Sequence, residues 1–215
     1  MQRLALFDLD NTLVDLDAAF RVWAAEFTGQ HGLPQAASDW LISLDRAGLS
    51  HREVFFAKVR ERFVLSESVE ELWMAYRRRM PHLVQCRADV LEGLGRLRAS
   101  GWKVGIVTNG TADNQLGKIQ RTGLADVVDG YALSGLEGVR KPERALFEIA
   151  ARRCGASLAE GGWMVGDRFG ADIEGGRAAG LRTIWINRDA TASEHNEADH
   201  VVIDVVRAME ILQGS

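Results

Sequence analysis

The sequence predicts an α/β fold in which a doubly wound, parallel, Rossmann-like sheet forms the core and an all-helical domain is inserted into it. The first observation is a set of short apolar runs, such as residues 3–7 and 103–107, that are almost continuous, as in strands covered on both faces. The second is that the later runs alternate with apolar residues at helical spacing. The third is that residues 16–85 carry helical patterns without a β-branched strand run.

The core strands and helices are predicted to alternate between residues 86 and 204, and a closing helix is predicted over residues 205–212. Four of the helical patterns end at a glycine, where a left-handed C-terminal cap is needed. These glycines are Gly101, Gly123, Gly155 and Gly180. The predicted strands cover residues 3–7, 103–107, 127–133, 163–165, 183–186 and 201–203.

The inserted segment is predicted to contain about four helices. Two of them have the spacing of a capping box at their start, Ser50-x-x-Glu53 and Ser68-x-x-Glu71, each followed by apolar residues at helical intervals. We therefore predict a core domain formed by residues 1–15 and 86–215 and a helical domain formed by residues 16–85.

Composition excludes several classes of partner. Of the 215 residues, 47% are hydrophobic and the net charge is -4, which provides a core but no electrostatic reason to bind nucleic acid or an anionic membrane. Cys86 and Cys154 lack zinc-ligand spacing, which indicates free thiols in a reducing compartment. Without a signal peptide or membrane span, the chain is predicted to be cytoplasmic, with no nucleic-acid or membrane partner. Its oligomeric state is not indicated by the sequence.

Two carboxylates, Asp8 and Asp10, directly follow the apolar run of residues 4–7. The carboxyl end of a strand is where open α/β sheets bind ligands. Acids this close repel one another, so the pair indicates a bound cation or a shared proton. A turn with Asx hydrogen bonds would also explain the pair taken alone. Asn11 indicates that the strand breaks into a turn at this point.

Two further polar segments follow core strands. Thr108, Asn109 and Gly110 offer a hydroxyl and backbone N–H groups that suit an anionic oxygen, although Thr108 alone could be a helix N-cap. In the second segment, Pro142 is predicted at the first position of a helix, which places Lys141 at the positive end of the helix dipole. An anion bound there would relieve this conflict, whereas Lys141 alone would be read as a surface lysine.

A last polar segment adds Asp167 and Asp172 after the strand at residues 163–165, although Asp172 alone could be a helix N-cap. Several carboxylates with one hydroxyl and one ammonium suit a hard cation such as Mg²⁺ that holds a phosphate. A carboxylate about 4 Å from a phosphate oxygen is repelled by roughly 4 kcal/mol per charge pair at an effective dielectric constant of about 20. A divalent ion and a lysine reverse the sign of that interaction.

Four segments, DLDNT, TNG, the lysine of RKP and GDRFGAD, occur in this order and resemble the signature motifs of the haloacid dehalogenase-like hydrolase superfamily. The resemblance covers most of residues 1–15 and 86–190, and the helical cap of that family matches residues 16–85. It implies that Asp8 is the nucleophile and that Asp10 is the general acid/base.

The resemblance also implies a ligand set. Thr108, backbone N–H groups near Asn109, and Lys141 would bind the phosphate. Asp8, the backbone carbonyl of Asp10, and Asp167 would bind Mg²⁺. Asp172 would be the second acid of the last motif, supporting the site by orienting Lys141 or metal-bound water.

The predicted function is a Mg²⁺-dependent phosphomonoester hydrolase that acts on a small phosphorylated metabolite through an aspartyl phosphate. Dehalogenases of the superfamily lack the second aspartate of the first motif, and Asp10 is present here. A phosphomutase of the same superfamily is the nearest alternative, since the same residues would serve both reactions. A noncatalytic phospho-acceptor module similar to response-regulator receivers is disfavoured, because its acid pair lies away from the phosphorylated strand and it has no helical insertion. Specificity depends on side chains that the sequence does not identify.

Overall fold

The computed structural model describes residues 2–47, 52–188 and 198–214. The chain divides into two compact units. The sheet unit contains Met1–Asp15 and Gln85–Ser215, and the helical unit contains Leu16–Val84. That the helical unit acts as a cap stays a prediction.

The sheet unit is built on a six-stranded, entirely parallel sheet within the described part of the chain. Its strands lie in the order β3-β2-β1-β4-β5-β6, which confirms the predicted Rossmann-like core. Every residue of the central strands β1 and β4 is buried, as the nearly continuous apolar runs indicated. The strands are β1 (Leu4–Phe7), β2 (Lys103–Thr108), β3 (Gly130–Leu133), β4 (Trp163–Gly166), β5 (Arg182–Ile186) and β6 (His200–Val202).

The third strand is shorter than the predicted range of 127–133. The ladder to β2 begins where Asp129 N–H donates to the carbonyl of Val104 at 2.7 Å, so the residues before Asp129 have no partner on β2. The segment Leu124–Val127 forms a short helix instead. Val127, a β-branched residue that favoured a strand in the sequence, therefore lies in a helix.

The strand order reverses between β1 and β4, which are neighbours in space but distant in sequence. The N–H of Asp8 donates to the carbonyl of Val165 at 2.9 Å and continues this pairing to the ends of both strands. The carboxyl ends of two strands at such a reversal diverge and leave a crevice that binds ligands in open α/β sheets. The polar segments after β1, β2 and β4 are therefore brought to one edge of the sheet.

The helical unit contains four helices and a short 3₁₀ turn among its described residues. Aromatic side chains form its centre: Trp23 packs edge-on against Tyr76 with ring centroids 5.0 Å apart. The capping box of Ser68 and Glu71 is present as predicted, whereas Ser50 of the other predicted box lies outside the described residues. The elements are α1 (Leu16–Gln30), α2 (Ala36–Arg46), α3 (Arg52–Phe63), α4 (Val69–Arg79) and the 3₁₀ turn Met80–His82.

The helices of the sheet unit follow the predicted alternation, and all four glycines predicted to cap them have φ between 69° and 87°. Phe169–Glu174 is a π-helical segment. Among the described residues, no helix combines the length and apolar character needed to cross a membrane. The helices are α5 (Ala88–Ala99), α6 (Ala112–Arg121), α7 (Leu124–Val127), α8 (Ser134–Glu137), α9 (Arg144–Arg153), α10 (Gly175–Ala178) and α11 (Val205–Gln213).

Candidate active site

The segment after β1 is a tight turn. The carbonyl of Leu9 accepts hydrogen bonds from the N–H groups of residues 12–14 at 2.9 to 3.3 Å. Asn11 adopts a left-handed backbone conformation with φ of 56°, which asparagine tolerates better than most residues. The predicted break after the strand is confirmed. It leaves Asp8 buried at the end of β1 and Asp10 partly exposed in the turn.

The ammonium group of Lys141 lies between two carboxylates. Its Nζ donates to Asp8 Oδ1 at 2.5 Å and to Asp172 Oδ1 at 2.7 Å, and all three side chains are buried. The other oxygen of Asp172 accepts from the N–H of Arg168 at 3.0 Å. Gly166 leaves room for this carboxylate, because a Cβ at that position would overlap the Asp172 side chain. Asp172 therefore fixes the ammonium group against Asp8.

The prediction that Pro142 occupies the first helical position is wrong, since α9 begins two residues later at Arg144. The reason lies in the backbone of Lys141. Its N–H donates to Asn109 Oδ1 at 2.9 Å, and its carbonyl accepts from Asn109 Nδ2 at 3.0 Å. These bonds tie the segment to the loop after β2, and the helix starts only beyond them. The side chain of Asn109 is thus engaged with Lys141.

Three carboxylates, those of Asp8, Asp167 and Asp172, offer oxygen atoms that all lie within 4.8 Å of one another. With Lys141 among them and all groups ionised, the cluster carries a net charge of about -2. Asp167 Oδ1 is buried and has no hydrogen-bond partner among the described residues. The cluster therefore has an excess of negative charge and one oxygen atom that is free to accept a ligand.

The pKa values of the cluster reflect this surplus of negative charge. Burial raises the pKa of Asp8 well above its usual range, the charge of Lys141 opposes the rise, and the charges of Asp172 and Asp167 add to it. Burial, followed by the charge of Asp172, raises the pKa of Asp167 to about 6. For Lys141, burial lowers the pKa, but the charges of Asp172 and Asp8 outweigh it and the pKa is raised. Lys141 stays an ammonium ion, and its carboxylate neighbours need more positive charge.

These residues fit a divalent cation such as Mg²⁺. Hard oxygen donors are the ligands that this ion prefers, and its charge of +2 would neutralise the cluster. The unpartnered oxygen of Asp167 provides a ligand atom that no other group in the described residues uses. The carboxylate of Asp10 is not part of this cluster among the described residues, and the expectation that its backbone carbonyl faces the ion stays a prediction.

Two residues that sequence reasoning missed contact Asp10. Lys118 Nζ lies 2.7 and 2.9 Å from the two carboxylate oxygens, and Gln115 Nε2 donates to Asp10 Oδ2 at 3.0 Å. Gln115 Nε2 also donates to Thr108 Oγ1 at 2.7 Å. In the sequence, Gln115 and Lys118 look like ordinary polar positions of an amphipathic helix. Their only signal was the spacing of three residues, which places both on one face of α6.

The structure thus connects the predicted site residues. Lys141 joins Asp8 to Asp172, and Asp167 lies in the same carboxylate cluster. The remaining residues are joined in pairs, Asn109 to Lys141 directly and Thr108 to Asp10 through Gln115.

Comparison with known proteins identifies the family. The family model described as haloacid dehalogenase-like hydrolase matches residues 2–180. The chain is 30% identical to a glyceraldehyde 3-phosphate phosphatase from Pyrococcus furiosus, over 98% of this chain and 93% of the relative. It is 26% identical to the pyrimidine 5'-nucleotidase PynA from Streptococcus pneumoniae, over 86% of this chain and 84% of the relative.

A solved structure gives the same result for the fold. The magnesium-bound HAD-hydrolase YfnB from Bacillus subtilis superposes with a TM-score of 0.84 at 22% identity, and the match covers 98% of both chains. The matched residues 2–180 include the segments that carry Asp8, Thr108, Lys141 and Asp167. The chain is therefore an enzyme, and it belongs to the haloacid dehalogenase-like hydrolases, a family that contains phosphatases.

Proposed function

We propose that this protein is a Mg²⁺-dependent phosphomonoester hydrolase that acts on a small phosphorylated metabolite through an aspartyl phosphate on Asp8. The observation that carries the proposal is the buried contact of 2.5 Å between Lys141 Nζ and Asp8, within a carboxylate cluster of net negative charge. A buried carboxylate that faces an ammonium group at the carboxyl edge of a parallel sheet is suited to attack an anionic substrate held by the same ammonium group.

In the first step, an oxygen of Asp8 attacks phosphorus in line with the leaving oxygen. A bond forms between Asp8 and phosphorus, and the ester bond between phosphorus and the substrate oxygen breaks. Asp10 gives its proton to the departing oxygen, so the alcohol leaves in its neutral form. Lys141 neutralises part of the charge of the transferred group.

In the second step, water attacks the phosphorus of the aspartyl phosphate. Asp10, now ionised, takes a proton from that water, and the bond between phosphorus and Asp8 breaks. Inorganic phosphate is released, Asp8 returns to its carboxylate form, and Asp10 regains the proton that it lost. General acid/base catalysis of this kind contributes about 10²- to 10⁴-fold to a rate.

Thr108 and backbone N–H groups near Asn109 would bind the oxygens of the transferred group; among these N–H groups, that of Gly110 donates to Ser134 Oγ at 3.0 Å. The hydroxyl of Thr108 is buried at the end of β2 and accepts from Gln115, so its own hydrogen is available for an anionic oxygen. Asn109 acts on the phosphate indirectly, since its side chain holds Lys141 in place.

The residues suited to hold Mg²⁺ are Asp8 and Asp167, with the backbone carbonyl of Asp10. A bound Mg²⁺ would supply positive charge that offsets the repulsion between Asp8 and an incoming phosphate. Asp172 supports the site through Lys141, from which it accepts a hydrogen bond of 2.7 Å.

The names of the relatives support the proposed substrate class. Their names specify glyceraldehyde 3-phosphate, pyrimidine 5'-nucleotides and phosphoserine, all of which are small phosphomonoesters. We therefore propose a small phosphorylated metabolite as substrate and the helical unit as the cap that selects it.

The test is a panel of phosphorylated metabolites assayed for phosphate release with and without Mg²⁺, with Asp8→Asn as the blank. We expect hydrolysis of at least one member only with Mg²⁺, one inorganic phosphate released for each substrate consumed, and no turnover by Asp8→Asn. Asp126→Asn, which changes an exposed aspartate of the sheet unit, is the matched control and should retain full activity. Full activity in Asp8→Asn would overturn the proposal, and substrate isomerisation without phosphate release would identify a mutase.

A further inference from the structure

Lys118 is a buried lysine, only 3% exposed, in the middle of α6. A lysine is almost never buried to this extent unless its charge is paired. Its ammonium group lies 2.7 and 2.9 Å from the two oxygens of Asp10, and this pair is its ion-pair contact among the described residues. Lys118 therefore contacts both carboxylate oxygens of Asp10, the residue to which we assign proton transfer.

Gln115 precedes Lys118 by three residues on α6 and faces the same way. The residue is 2% exposed, and its amide nitrogen donates to Asp10 Oδ2 at 3.0 Å and to Thr108 Oγ1 at 2.7 Å. The same nitrogen also lies 3.4 Å from the carbonyl oxygen of Asn109, and the contacts to Asp10 and Thr108 are the two shorter ones. Gln115 therefore ties Asp10 to the hydroxyl at the end of β2.

Asp10 lies in a turn, and a side chain in a turn has more freedom than one on a strand or helix. Its carboxylate is only partly buried, with 23% of the side chain exposed. Three hydrogen bonds from one helix restrict rotation about the side-chain bonds, since any rotation would break at least one of them. The orientation of the carboxylate is thus set by α6.

We propose that Lys118 and Gln115 are positioning residues that hold the Asp10 carboxylate in the orientation needed for proton transfer to the leaving oxygen. The inference rests on the proposed function, because it assumes that Asp10 is the general acid. Neither side chain needs to touch the substrate. Lys118 acts through Asp10, and Gln115 acts through Asp10 and Thr108. The precise placement of a catalytic group contributes large factors to a rate, so loss of the hydrogen bonds to Asp10 should lower kcat/KM measurably.

The test exploits the leaving group. Departure of an alkoxide from an alkyl phosphate needs a proton, whereas p-nitrophenolate is a stable anion that leaves without one. The parameter kcat/KM covers the steps up to departure of the leaving group, so it reports the proton transfer. The alkyl substrate is the member of the panel with the highest kcat/KM among glyceraldehyde 3-phosphate, phosphoserine and a pyrimidine 5'-nucleotide.

We expect Lys118→Met to lower kcat/KM roughly 10- to 100-fold for the alkyl phosphate and less than about 3-fold for p-nitrophenyl phosphate. Methionine keeps an apolar side chain at the buried position of Lys118, and near-normal turnover of p-nitrophenyl phosphate verifies that the site is folded. Gln115→Met removes one of the three bonds to Asp10 and also the bond to Thr108, so it should lower kcat/KM for both substrates, with the larger loss for the alkyl phosphate. An equal loss for both substrates in Lys118→Met, or no loss for either, would overturn the inference.

Two further variants complete the design. Lys118→Arg keeps a cation that can donate to both oxygens and should recover part of the alkyl phosphate activity. Arg121→Met changes an exposed cation on the same helix and should leave both substrates unaffected.

The double variant Asp10→Asn/Lys118→Met separates this inference from the proposed function. If Lys118 acts through Asp10, the double variant should be no slower on the alkyl phosphate than Asp10→Asn alone. Additive losses would show that Lys118 acts elsewhere, while Asp10 keeps its role. If Asp10→Asn alone leaves the alkyl phosphate activity intact, the general-acid role of Asp10 fails, and the positioning role fails with it.

Discussion

Asn109 binds both backbone polar groups of Lys141 through its side-chain amide, accepting from the N–H at 2.9 Å and donating to the carbonyl at 3.0 Å. The two residues lie 32 positions apart in the chain, one after β2 and the other before α9. Because the side chain of Lys141 extends to Asp8, the amide of Asn109 sets where the ammonium group meets the proposed nucleophile.

This relationship predicts a large effect from a nearly isosteric change. In Asn109→Asp, the donor to the Lys141 carbonyl becomes an oxygen, and the two oxygens repel. We expect a loss of about 1–3 kcal/mol in the free energy of unfolding, measured by urea denaturation, and a fall of roughly 10- to 100-fold in kcat/KM. Gln120→Glu, the same amide-to-acid change at an exposed position of α6, should alter neither quantity. Wild-type activity in Asn109→Asp would contradict the role of Asn109 in positioning Lys141.

The pKa of Asp167 predicts that Mg²⁺ binds less tightly in acid. A ligand carboxylate must lose its proton to bind the ion, and burial raises the pKa of Asp167 to about 6 in the metal-free protein. Lowering the pH from about 7.5 to about 5.5 should therefore raise the half-saturating Mg²⁺ concentration roughly 3- to 10-fold. The measurement is a thermal-shift titration with Mg²⁺, which does not depend on catalysis. A half-saturating concentration that is the same at both pH values would exclude Asp167 as a ligand.

The same carboxylate should destabilise the metal-free fold. A group whose pKa is raised from 3.8 to about 6 on folding binds its proton more tightly in the folded state, so stability falls as the pH rises between these values. Asp167→Asn removes this penalty and should stabilise the protein by on the order of 2 kcal/mol at pH 7.5 in EDTA. The gain should disappear near pH 4, where aspartate is protonated in both states. Destabilisation at pH 7.5 would contradict the prediction.

Val64 predicts a stabilising substitution in the helical unit. It follows α3 with φ of 51° and is 89% exposed, so a β-branched residue occupies a left-handed position without burying its side chain. The N–H of the next residue, Leu65, donates to the carbonyl of Arg60 and closes the helix end, where glycine is the usual residue. Val64→Gly should raise the free energy of unfolding by about 0.5–1 kcal/mol.

The control for this substitution is Val54→Gly. Val54 is also exposed but lies inside α3, where replacing valine by glycine should cost about 0.5 kcal/mol. Opposite signs for the two variants in thermal denaturation are the expected result. A loss of stability in both would mean that Val64 is not strained.

Much of the sheet unit could be predicted from sequence because its signals are local. Buried strands of a parallel sheet need nearly continuous apolar runs, and helix ends need glycine where φ is positive. Gly101 and Gly155 meet that need, with φ of 85° and 69°. The start of α9 could not be predicted, since it depends on the contact between Asn109 and Lys141 across 32 residues.

The candidate site was predicted in part for the same reason. Asp8 and Asp167 directly follow apolar strands, so their position at the sheet edge is a local signal. Lys118 and Gln115 were missed because hydropathy assigns polar residues to the surface, and only the folded chain reveals that carboxylate and hydroxyl partners bury them. A buried polar residue is recognisable in sequence only when its partner is known.

Gly166 ends β4 without touching any proposed reactant, yet the space beside its Cα is filled by the carboxylate of Asp172. An alanine there would displace an anion rather than a hydrocarbon, and the ammonium group that this anion steadies would move with it. In a library of random variants selected for activity, position 166 should tolerate as little change as the nucleophile itself. Only glycine, with a hydrogen in place of a side chain, leaves the carboxylate of Asp172 where it is.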